Sequence, residues 1–372
     1  MYDIDRATNS GFGAYRGSSM KTIVLAVFSL QGNGAERVVQ TLARNMNALG
    51  HQAHIVLFKD VIDLPLDDGV HVHKFPYGLY RSLPRKMRAK IAAFAFDKYV
   101  KKHIGMPDLV LSNLYPVDFI LSQSRLPNLH FVMHNNTSQE YSLTGPDDVK
   151  IAKLTSVYAG KNCVCVSKGV EEDLRVLFGQ GLNTRTIYNP VEPESILSQA
   201  AAAAAPPQKD FIVNVGKFKK AKRHDRLLRA YAQSGTPHDL VLVGTGPFQS
   251  EAQSLAQSLG IADRVHFVGF QKNPFPFIKA ARLMVVSSEF EGLNMTILEA
   301  IVLGVPVVST DCPSGPSEIL PPRNLVYPPD DIAALAEKIA DAAQRPETFR
   351  VDFSDTFKAE AVAREYLKLT TP

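Results

Sequence analysis

Cysteines and long apolar runs are scarce in this sequence of 372 residues. Of the three cysteines, Cys163 and Cys165 alternate within a short apolar run and Cys312 stands alone. This excludes a disulfide framework and a cysteine metal cluster, and it suits a reducing compartment. The longest clean apolar runs, such as Ile301–Val308, are under about ten residues, so no segment is expected to span a bilayer as a helix. The remaining composition, 45% hydrophobic and 21% charged, is that of a globular protein and excludes a disordered or collagen-like chain.

The beginning of the chain differs in composition from the rest. Met1–Ser19 is rich in Gly, Ser and Asn, lacks a signal-peptide pattern and precedes a second methionine, so we interpret it as a non-native leader. Residues 20–190 contain 20 Lys and Arg against 14 Asp and Glu, whereas residues 191–372 contain 19 against 21. A basic first half and a slightly acidic second half favour two domains with different partners.

Short apolar runs alternate with helical patterns along the chain. The runs of the first half are Thr22–Phe28, Ala53–Phe58, Leu109–Ser112, His130–Met133, Cys163–Ser167 and Thr186–Tyr188. Those of the second half are Phe211–Val215, Leu240–Val243, Val265–Val268, Leu283–Val286 and Val305–Ser309. Near-continuous apolar strands between helices are typical of parallel sheets covered on both faces. The sequence therefore predicts an α/β protein with two Rossmann-like, doubly wound domains.

The predicted junction between the domains lies near Asn189–Asp210. It contains a turn signal, Asn189-Pro190, and an Ala-rich helical stretch, Ser195–Ala205, that ends at two prolines. We expect an N-terminal domain over 20–190 and a C-terminal domain over 191–372, whose last helix could pack back on the first domain. Ligands of doubly wound sheets bind beyond the carboxyl ends of the strands, so the active site is expected in a cleft between the domains.

Two turns at strand ends have the composition of phosphate-binding segments. Gly32 and Gly34 lie where a strand gives way to a helix, so the backbone could approach an anion at the helix N-terminus. In Gly216–His224, five cations lie within seven positions, a concentration of charge that a nucleotide diphosphate would offset. A tight turn without a ligand and a solvated basic turn are the structural alternatives.

A third segment, Ser287–Ala300, holds two carboxylates eight residues apart. Glu291 is in a predicted loop that Gly292 would let fold tightly, and Glu299 is inside the helix that follows. Carboxylates accept hydrogen bonds from sugar hydroxyls, and the helix N-terminus between them offers N–H groups to a phosphate. Met133-His134-Asn135, where a structural histidine is the alternative, and the polar loop Asp311–Glu318 also follow strands and are expected at the same cleft.

The order and spacing of these segments resemble the retaining glycosyltransferases of the GT-B fold, in the large family-4 group. The resemblance runs from Met20 to the C-terminus. It rests on the Gly-Asn-Gly-Ala-Glu-Arg loop, Ile187–Val191, the Gly-Lys…Lys turn, Val268–Phe270, the pair Glu291 and Glu299, and Asp311–Glu318.

The resemblance implies a role for each matching residue. The residues implied in catalysis are His134 near the transferred sugar, Lys222 at the diphosphate and Glu291 at the donor sugar. The residues implied in donor binding are Gly32, Gly34, Lys217, Lys222, Phe270, Glu291, Gly292, Leu293, Asn294, Met295, Thr296 and Glu299. Glu299 would bind the ribose, Met295 and Thr296 would offer amides to the diphosphate, and the Phe270 region would face the base. Two features depart from the family: Lys217 stands where arginine is usual, and the Gly-rich loop after the last motif is shortened to Leu320–Asn324.

The implied reaction moves a hexose or N-acetylhexosamine from a UDP-sugar, with retention, to a lipopolysaccharide or lipooligosaccharide core or a lipid-linked saccharide. The lysines and the helix N-terminus can stabilise the leaving diphosphate, and the sole Asp-x-Asp, Asp3-Ile-Asp5, lies in the leader. We therefore predict that no metal and no other cofactor is required. The alternatives are a GDP-sugar donor, a GT-B-fold sugar-nucleotide epimerase, which would turn over without an acceptor, and a non-catalytic subunit.

The segment Arg81–Lys102 carries eight Lys and Arg against one acid, Asp97, with aromatic residues interleaved. This pattern predicts a surface that meets anionic lipid or a phosphorylated acceptor. We expect a cytoplasmic enzyme at the inner face of the membrane, without a nucleic-acid partner. A solvated helix whose aromatics lie in the core is the alternative.

Overall fold

The computed structural model describes residues 19–66, 69–144, 148–202 and 210–370, except for the side chains of Arg85, Lys86 and Gln180. Residues 1–18 of the predicted leader, with Asp3-Ile-Asp5, lie outside the described residues, as do residues 203–209 of the predicted junction. No helix in the described ranges combines the length and the apolar character that crossing a membrane requires.

The first domain is built on a seven-stranded parallel sheet with the order β3-β2-β1-β4-β5-β6-β7. The strands are β1 (Thr22–Val27), β2 (Gln52–Leu57), β3 (His71–Lys74), β4 (Leu109–Asn113), β5 (Leu129–Met133), β6 (Asn162–Cys165) and β7 (Asn183–Thr186). The helices are α1 (Gly34–Ala48), α2 (Arg85–His103), α3 (Tyr115–Leu121), α4 (Thr137–Glu140), α5 (Val149–Tyr158) and α6 (Lys168–Phe178). Central strands such as β4 are buried at every position because helices cover both faces.

The second domain has a six-stranded parallel sheet with the order β10-β9-β8-β11-β12-β13. The strands are β8 (Ile212–Val215), β9 (Leu240–Val243), β10 (Val265–Gly269), β11 (Leu283–Val286), β12 (Val307–Thr310) and β13 (Leu325–Val326). The helices from the junction onward are α7 (Pro193–Ala202), α8 (His224–Ser234), α9 (Gln249–Ser258), α10 (Phe275–Ala280), α11 (Met295–Val302), α12 (Pro316–Ile319), α13 (Ile332–Gln344) and α14 (Ala359–Leu367). The predicted α/β class with two doubly wound domains is confirmed.

The end of the chain returns to the first domain. Asn128 donates from Nδ2 to the carbonyl of Leu369 at 2.7 Å, and Arg185 pairs with Glu365 of α14 at 3.1 Å. The boundary at residue 190 therefore divides the two sheets, but residues 359–370 lie on the first domain although they follow the second sheet in the chain.

One strand prediction is wrong in position, and two strands are absent from the predictions. The run Thr186–Tyr188 is predicted as a strand, whereas β7 is Asn183–Thr186. This strand is polar and lies at the sheet edge, so its apolar content does not mark it. β3 alternates histidines and has no fully buried residue, and β13 has only two residues.

Candidate active site

A cleft of about 750 Å³ lies between the carboxyl ends of the two sheets. Its first-domain wall comes from the loops that follow β1, β4 and β5. Its second-domain wall comes from the turn after β8 and the loop and helix after β11. The lining residues of the second domain are Lys219, Lys222, Glu291, Gly292, Leu293, Asn294, Met295 and Thr296. The predicted cleft residues Lys222 and Glu291–Thr296 are thus brought together in one wall.

Lys222 and Glu291 form an ion pair in this wall. Lys222 closes a 3-10 turn at Lys220–Lys222, and its Nζ lies 2.5 Å from Oε1 of Glu291. The same oxygen accepts hydrogen bonds from Ser288 Oγ at 2.6 Å and from Asn294 Nδ2 at 2.9 Å. All three bonds go to Oε1, so Oε2 accepts no hydrogen bond within the described residues. That oxygen can accept a sugar hydroxyl.

Asn294 is the N-cap of α11. Its Oδ1 accepts from the N–H groups of Thr296 at 3.1 Å and Ile297 at 3.3 Å, while its Nδ2 donates to Glu291. Met295 and Thr296, the first residues of the helix, line the cleft. The N–H of Thr296 is already bonded to the cap, so a phosphate at this end would meet the amide of Met295 most directly.

Gly292 lies against the first domain. A Cβ built at this position would be 1.9 Å from the carbonyl oxygen of His134, which no side chain could tolerate. The N–H of Asn136 also donates to the carbonyl of Glu291 at 3.3 Å. The sequence analysis assigns Gly292 to a tight loop. In the structure, the lack of a side chain at this position also allows the two domains to come into contact.

His134 lies at the end of β5, with its imidazole directed by Asn113. The amide Nδ2 of Asn113 donates to the carbonyls of Ala26 and Leu111, each at 3.2 Å, so its Oδ1 faces the histidine. His134 Nε2 donates to that oxygen at 2.8 Å. Its Nδ1 is buried and has no partner among the described residues. Burial lowers the pKa of His134 to about 4, so the ring is neutral at pH 7 and Nδ1 is an acceptor.

The glycine loop after β1 presents only part of its backbone to the cleft. Glu36 accepts from the N–H groups of Gly32 at 2.7 Å and Asn33 at 3.1 Å, and Asn33 caps α1 in return. These amides are therefore occupied within the loop, and Gly32, whose φ is +103°, shapes the turn. Gly34 and Ala35 line the cleft, and their N–H groups lie in the first helical turn.

Besides Gly32, three predicted donor residues, Lys217, Phe270 and Glu299, do not line the cleft. Lys217 is exposed, and Phe270, directly after β10, is 66% exposed. Glu299 lies one turn beyond Met295 on α11, and no hydrogen bond joins its carboxylate to a described residue. Burial raises the pKa of Glu299 to about 7, and the positive charge of Arg37 on α1 partly opposes this shift. Hydrogen bonds from the hydroxyls of a bound nucleotide sugar would favour the ionised form of Glu299 and lower its pKa.

Two side chains have contacts that the sequence did not predict but that support the second-domain wall of the cleft, called the donor wall below. Arg226 on α8 is 1% exposed and donates to the carbonyls of Ser287 and Ser288 and to Glu289. Glu318 accepts from the N–H groups of Lys168 at 2.8 Å and Gly169 at 3.0 Å, at the N-terminus of α6 in the other domain. An arginine on the apolar face of a predicted helix could have indicated the first. Glu318 belongs to the polar loop that the sequence predicts at the cleft, but nothing local indicates its partners on α6.

Two doubly wound domains that face each other across a polar cleft at their strand ends define the GT-B fold. The chain matches the model of the Glycosyltransferase Family 4 domain over residues 32–195 and that of Glycosyl transferases group 1 over residues 197–358. The protein therefore belongs to the family-4 group of GT-B glycosyltransferases, as its sequence motifs predict.

The chain is similar to several known proteins. It is 24% identical over 315 residues to a Campylobacter jejuni N-acetylgalactosamine-N,N'-diacetylbacillosaminyl-diphospho-undecaprenol 4-alpha-N-acetylgalactosaminyltransferase, covering 81% of this chain and 83% of that protein. It is 30% identical over 168 residues to the lipopolysaccharide 1,6-galactosyltransferase of Salmonella typhimurium, covering 43% and 45%. Among solved structures, Anabaena HepE in complex with UDP and glucose superposes with a TM-score of 0.68 at 19% identity, covering 94% of this chain and 97% of that one.

Proposed function

We propose that this protein transfers a hexose or N-acetylhexosamine from a UDP-sugar, with retention of configuration, to a saccharide of a lipopolysaccharide or lipooligosaccharide core or of a lipid-linked glycan. The observation that carries this proposal is the arrangement of Lys222, Glu291 and the N-terminus of α11 opposite the acceptor nitrogen of His134. Cations and amides on one wall suit a diphosphate. Hydrogen-bond acceptors on both walls suit the hydroxyls of the sugar.

The proposed role of the donor wall is to stabilise the leaving group. As the bond between the sugar C1 and the β-phosphate oxygen breaks, negative charge grows on the diphosphate. Lys222 and the amide of Met295 would stabilise that charge, which would lower the barrier without a metal ion. His134 Nδ1 and Glu291 Oε2 would meanwhile accept hydroxyls of the sugar and hold its orientation.

Retention is proposed to occur by departure and attack on the same face of the sugar. The cleft carboxylates among the described residues are Asp118, Glu140 and Glu291, and each already accepts hydrogen bonds from neighbouring side chains. The ion pair of Glu291 with Lys222 would lower the nucleophilicity of that carboxylate, so we favour a step without a covalent intermediate. In the proposed step the acceptor oxygen bonds to C1 as the phosphate leaves, and its proton passes to the departing phosphate oxygen.

The donor and acceptor classes draw support from the similar proteins. Anabaena HepE was solved as a complex with UDP and glucose. The names of the Campylobacter and Salmonella relatives include galactose or N-acetylgalactosamine transfer and lipid-linked or lipopolysaccharide substrates. A GDP-sugar transferase and a sugar-nucleotide epimerase are the alternatives.

We also propose that α2 brings the enzyme to an anionic membrane surface. Met87, Ile91 and Phe94 recur at helical spacing and are 54%, 39% and 58% exposed. Lys98 lies with its Nζ 4.6 Å from the centre of the Phe94 ring, and several other cations of the predicted basic segment are exposed. By contrast, Phe96 is buried in the core against Phe58, so the interleaved aromatics have two different roles. Exposed apolar groups flanked by cations are typical of interfacial helices.

The experiment that tests the proposed function is product analysis by NMR with UDP-hexoses and UDP-N-acetylhexosamines, with and without saccharide acceptors, in excess EDTA. We expect a new glycoside with the donor's anomeric configuration, formed in the presence of the chelator. An inverted product would contradict retention, and loss of activity that Mg²⁺ or Mn²⁺ restores would contradict the metal-free mechanism. Conversion of the donor sugar to an epimer without an acceptor would favour the epimerase.

A further inference from the structure

The first-domain wall of the cleft contains a pair of aromatic rings. Tyr115 begins α3 and Tyr141 follows α4, and both half-buried rings line the cleft with their centroids 5.9 Å apart at an interplanar angle of 67°. Two rings at this angle form a corner with apolar faces and polar edges. Pyranose rings present C–H groups on their faces, and such groups pack on aromatic surfaces while the hydroxyls bond at the edge.

The backbone just before this corner is held in an unfavourable conformation. Leu114 has φ of +71° and ψ of 141°, a region that residues other than glycine rarely enter. Leu114 follows the end of β4, and this conformation starts α3 at Tyr115, beside the cleft. Backbone strain of this kind concentrates at ligand sites, where the surrounding structure maintains it.

The carboxylates that the first domain contributes to the cleft lining lie near this corner. Glu140 lines the cleft next to Tyr141 and accepts from Nδ2 of Asn135, and Asp118 lies beneath, accepting from Ser112 and Tyr158. The cations that line the cleft, Lys219 and Lys222, belong to the opposite wall.

Two further lysines lie close to the corner but outside the lining. Lys150 donates to the carbonyl of Tyr141 at 2.8 Å, and Lys153 has its Nζ 5.8 Å from the centre of the Tyr115 ring. Both side chains are exposed at the rim. Glu140 is therefore the exposed charged group that lines the corner itself, whereas the two lysines lie at its rim. A phosphate or carboxylate on a sugar in this corner would be repelled by Glu140.

We propose that Tyr115, Tyr141 and Glu140 form the subsite for the sugar ring that receives the transferred residue, and that this ring is an uncharged pyranose. The proposal rests on the function proposed above and names the substrate class of its acceptor side. The ring packs on the two tyrosines, and a hydroxyl donates to Glu140. Any phosphate of the acceptor then lies away from the reacting ring.

The test is saturation-transfer NMR on the full chain with UDP present. The neutral probes are methyl β-glucopyranoside, methyl β-galactopyranoside and methyl 2-acetamido-2-deoxy-β-glucopyranoside, and the charged probes are the 6-phosphates of the first two. We expect at least one neutral probe to bind at least tenfold more tightly than the charged probes. Each of the first two is compared with its own 6-phosphate, and the acetamido probe is compared with both phosphates. Tyr115→Leu and Tyr141→Leu, which keep apolar volume but lose the flat face, should each weaken that binding at least fivefold. Tyr80→Leu, at a half-buried tyrosine outside the cleft, is the matched control.

A charge reversal gives a second, independent measurement. Glu140 is exposed, so Glu140→Lys should fold normally and should shift the preference at least tenfold toward the phosphorylated probes. Equal or tighter binding of phosphates by the wild type, unchanged binding in both tyrosine variants, or no binding of any neutral probe would overturn the subsite. The melting shift with UDP is measured in parallel. Its absence in the wild type would contradict the proposed donor site instead.

Discussion

Lys222 is the residue whose role in the proposed reaction is most specific, because its charge is needed most when the diphosphate leaves. We predict that Lys222→Ala lowers kcat by about 100- to 1,000-fold, as removal of one preorganised stabiliser does, with a smaller change in KM. Lys220→Ala, which removes an exposed cation two residues away, should change kcat less than twofold. Near-normal turnover of Lys222→Ala would assign the stabilisation of the leaving group to another cation.

Glu299 should make donor binding depend on pH. With its pKa at about 7, it is mostly protonated at pH 6 and mostly a carboxylate at pH 8. The carboxylate is the form that accepts two ribose hydroxyls, so the affinity for UDP-glucose should rise about tenfold between these values. UDP-glucose keeps a constant charge over this range, and His134 stays neutral. Calorimetric titration measures the effect, and a rise of the same size in Glu299→Gln would assign it to another group.

The sequence predicts the residues of the donor wall better than it predicts what holds them. Glu291, Gly292 and Asn294 lie within four residues of one another in one motif, and their local geometry follows from a loop that leads into a helix cap. Arg226 and Glu318 act on segments that are remote in the chain, so no local pattern contains their partners. Gly32 shows the same limit, because its amide is bonded to Glu36 within the loop.

At the level of single elements, α2 carries the prediction on membranes. Wild type should co-sediment with vesicles that contain phosphatidylglycerol, and raised salt should weaken this binding because charge interactions are screened. Met87→Ser/Phe94→Ser should reduce binding at low and high salt, since the apolar contribution does not depend on ionic strength. Val149→Ser/Val176→Ser, a change at two exposed valines elsewhere, should bind as wild type does. Failure of the wild type to bind such vesicles would leave α2 a solvated helix.

Elements were predictable where burial gives a strong apolar pattern. β9 and β11 begin and end where the sequence predicts, because every residue of these strands is buried. β3 lies at a sheet edge with polar side chains, and β13 is too short for periodicity. The positions of β3 and β13 depend on their pairing with neighbouring strands, and the local sequence does not encode that pairing.

At the scale of the whole molecule, Glu318 contributes to the contact between the two domains, together with the segment around Gly292. Its carboxylate accepts from two amides of α6 and from the hydroxyl of Tyr188 at 3.1 Å, and charge-assisted bonds contribute about 1.5–3 kcal/mol each. Glu318→Ala should therefore open the cleft, which small-angle scattering without nucleotide would detect as a larger radius of gyration. Glu337→Ala, at an exposed carboxylate of α13, should scatter as wild type does. Identical profiles for both variants would mean that other contacts suffice for closure.

The proposed function requires a nucleotide site between Lys222 and Glu299, and calorimetric titration of UDP tests for this site most directly. We predict that the wild type binds one UDP per chain and binds GDP more weakly. Glu299→Ala should weaken UDP binding by about 2–3 kcal/mol, because the ribose hydroxyls lose a charged acceptor. No UDP binding by the wild type, tighter binding of GDP, or undiminished binding in Glu299→Ala would contradict the account.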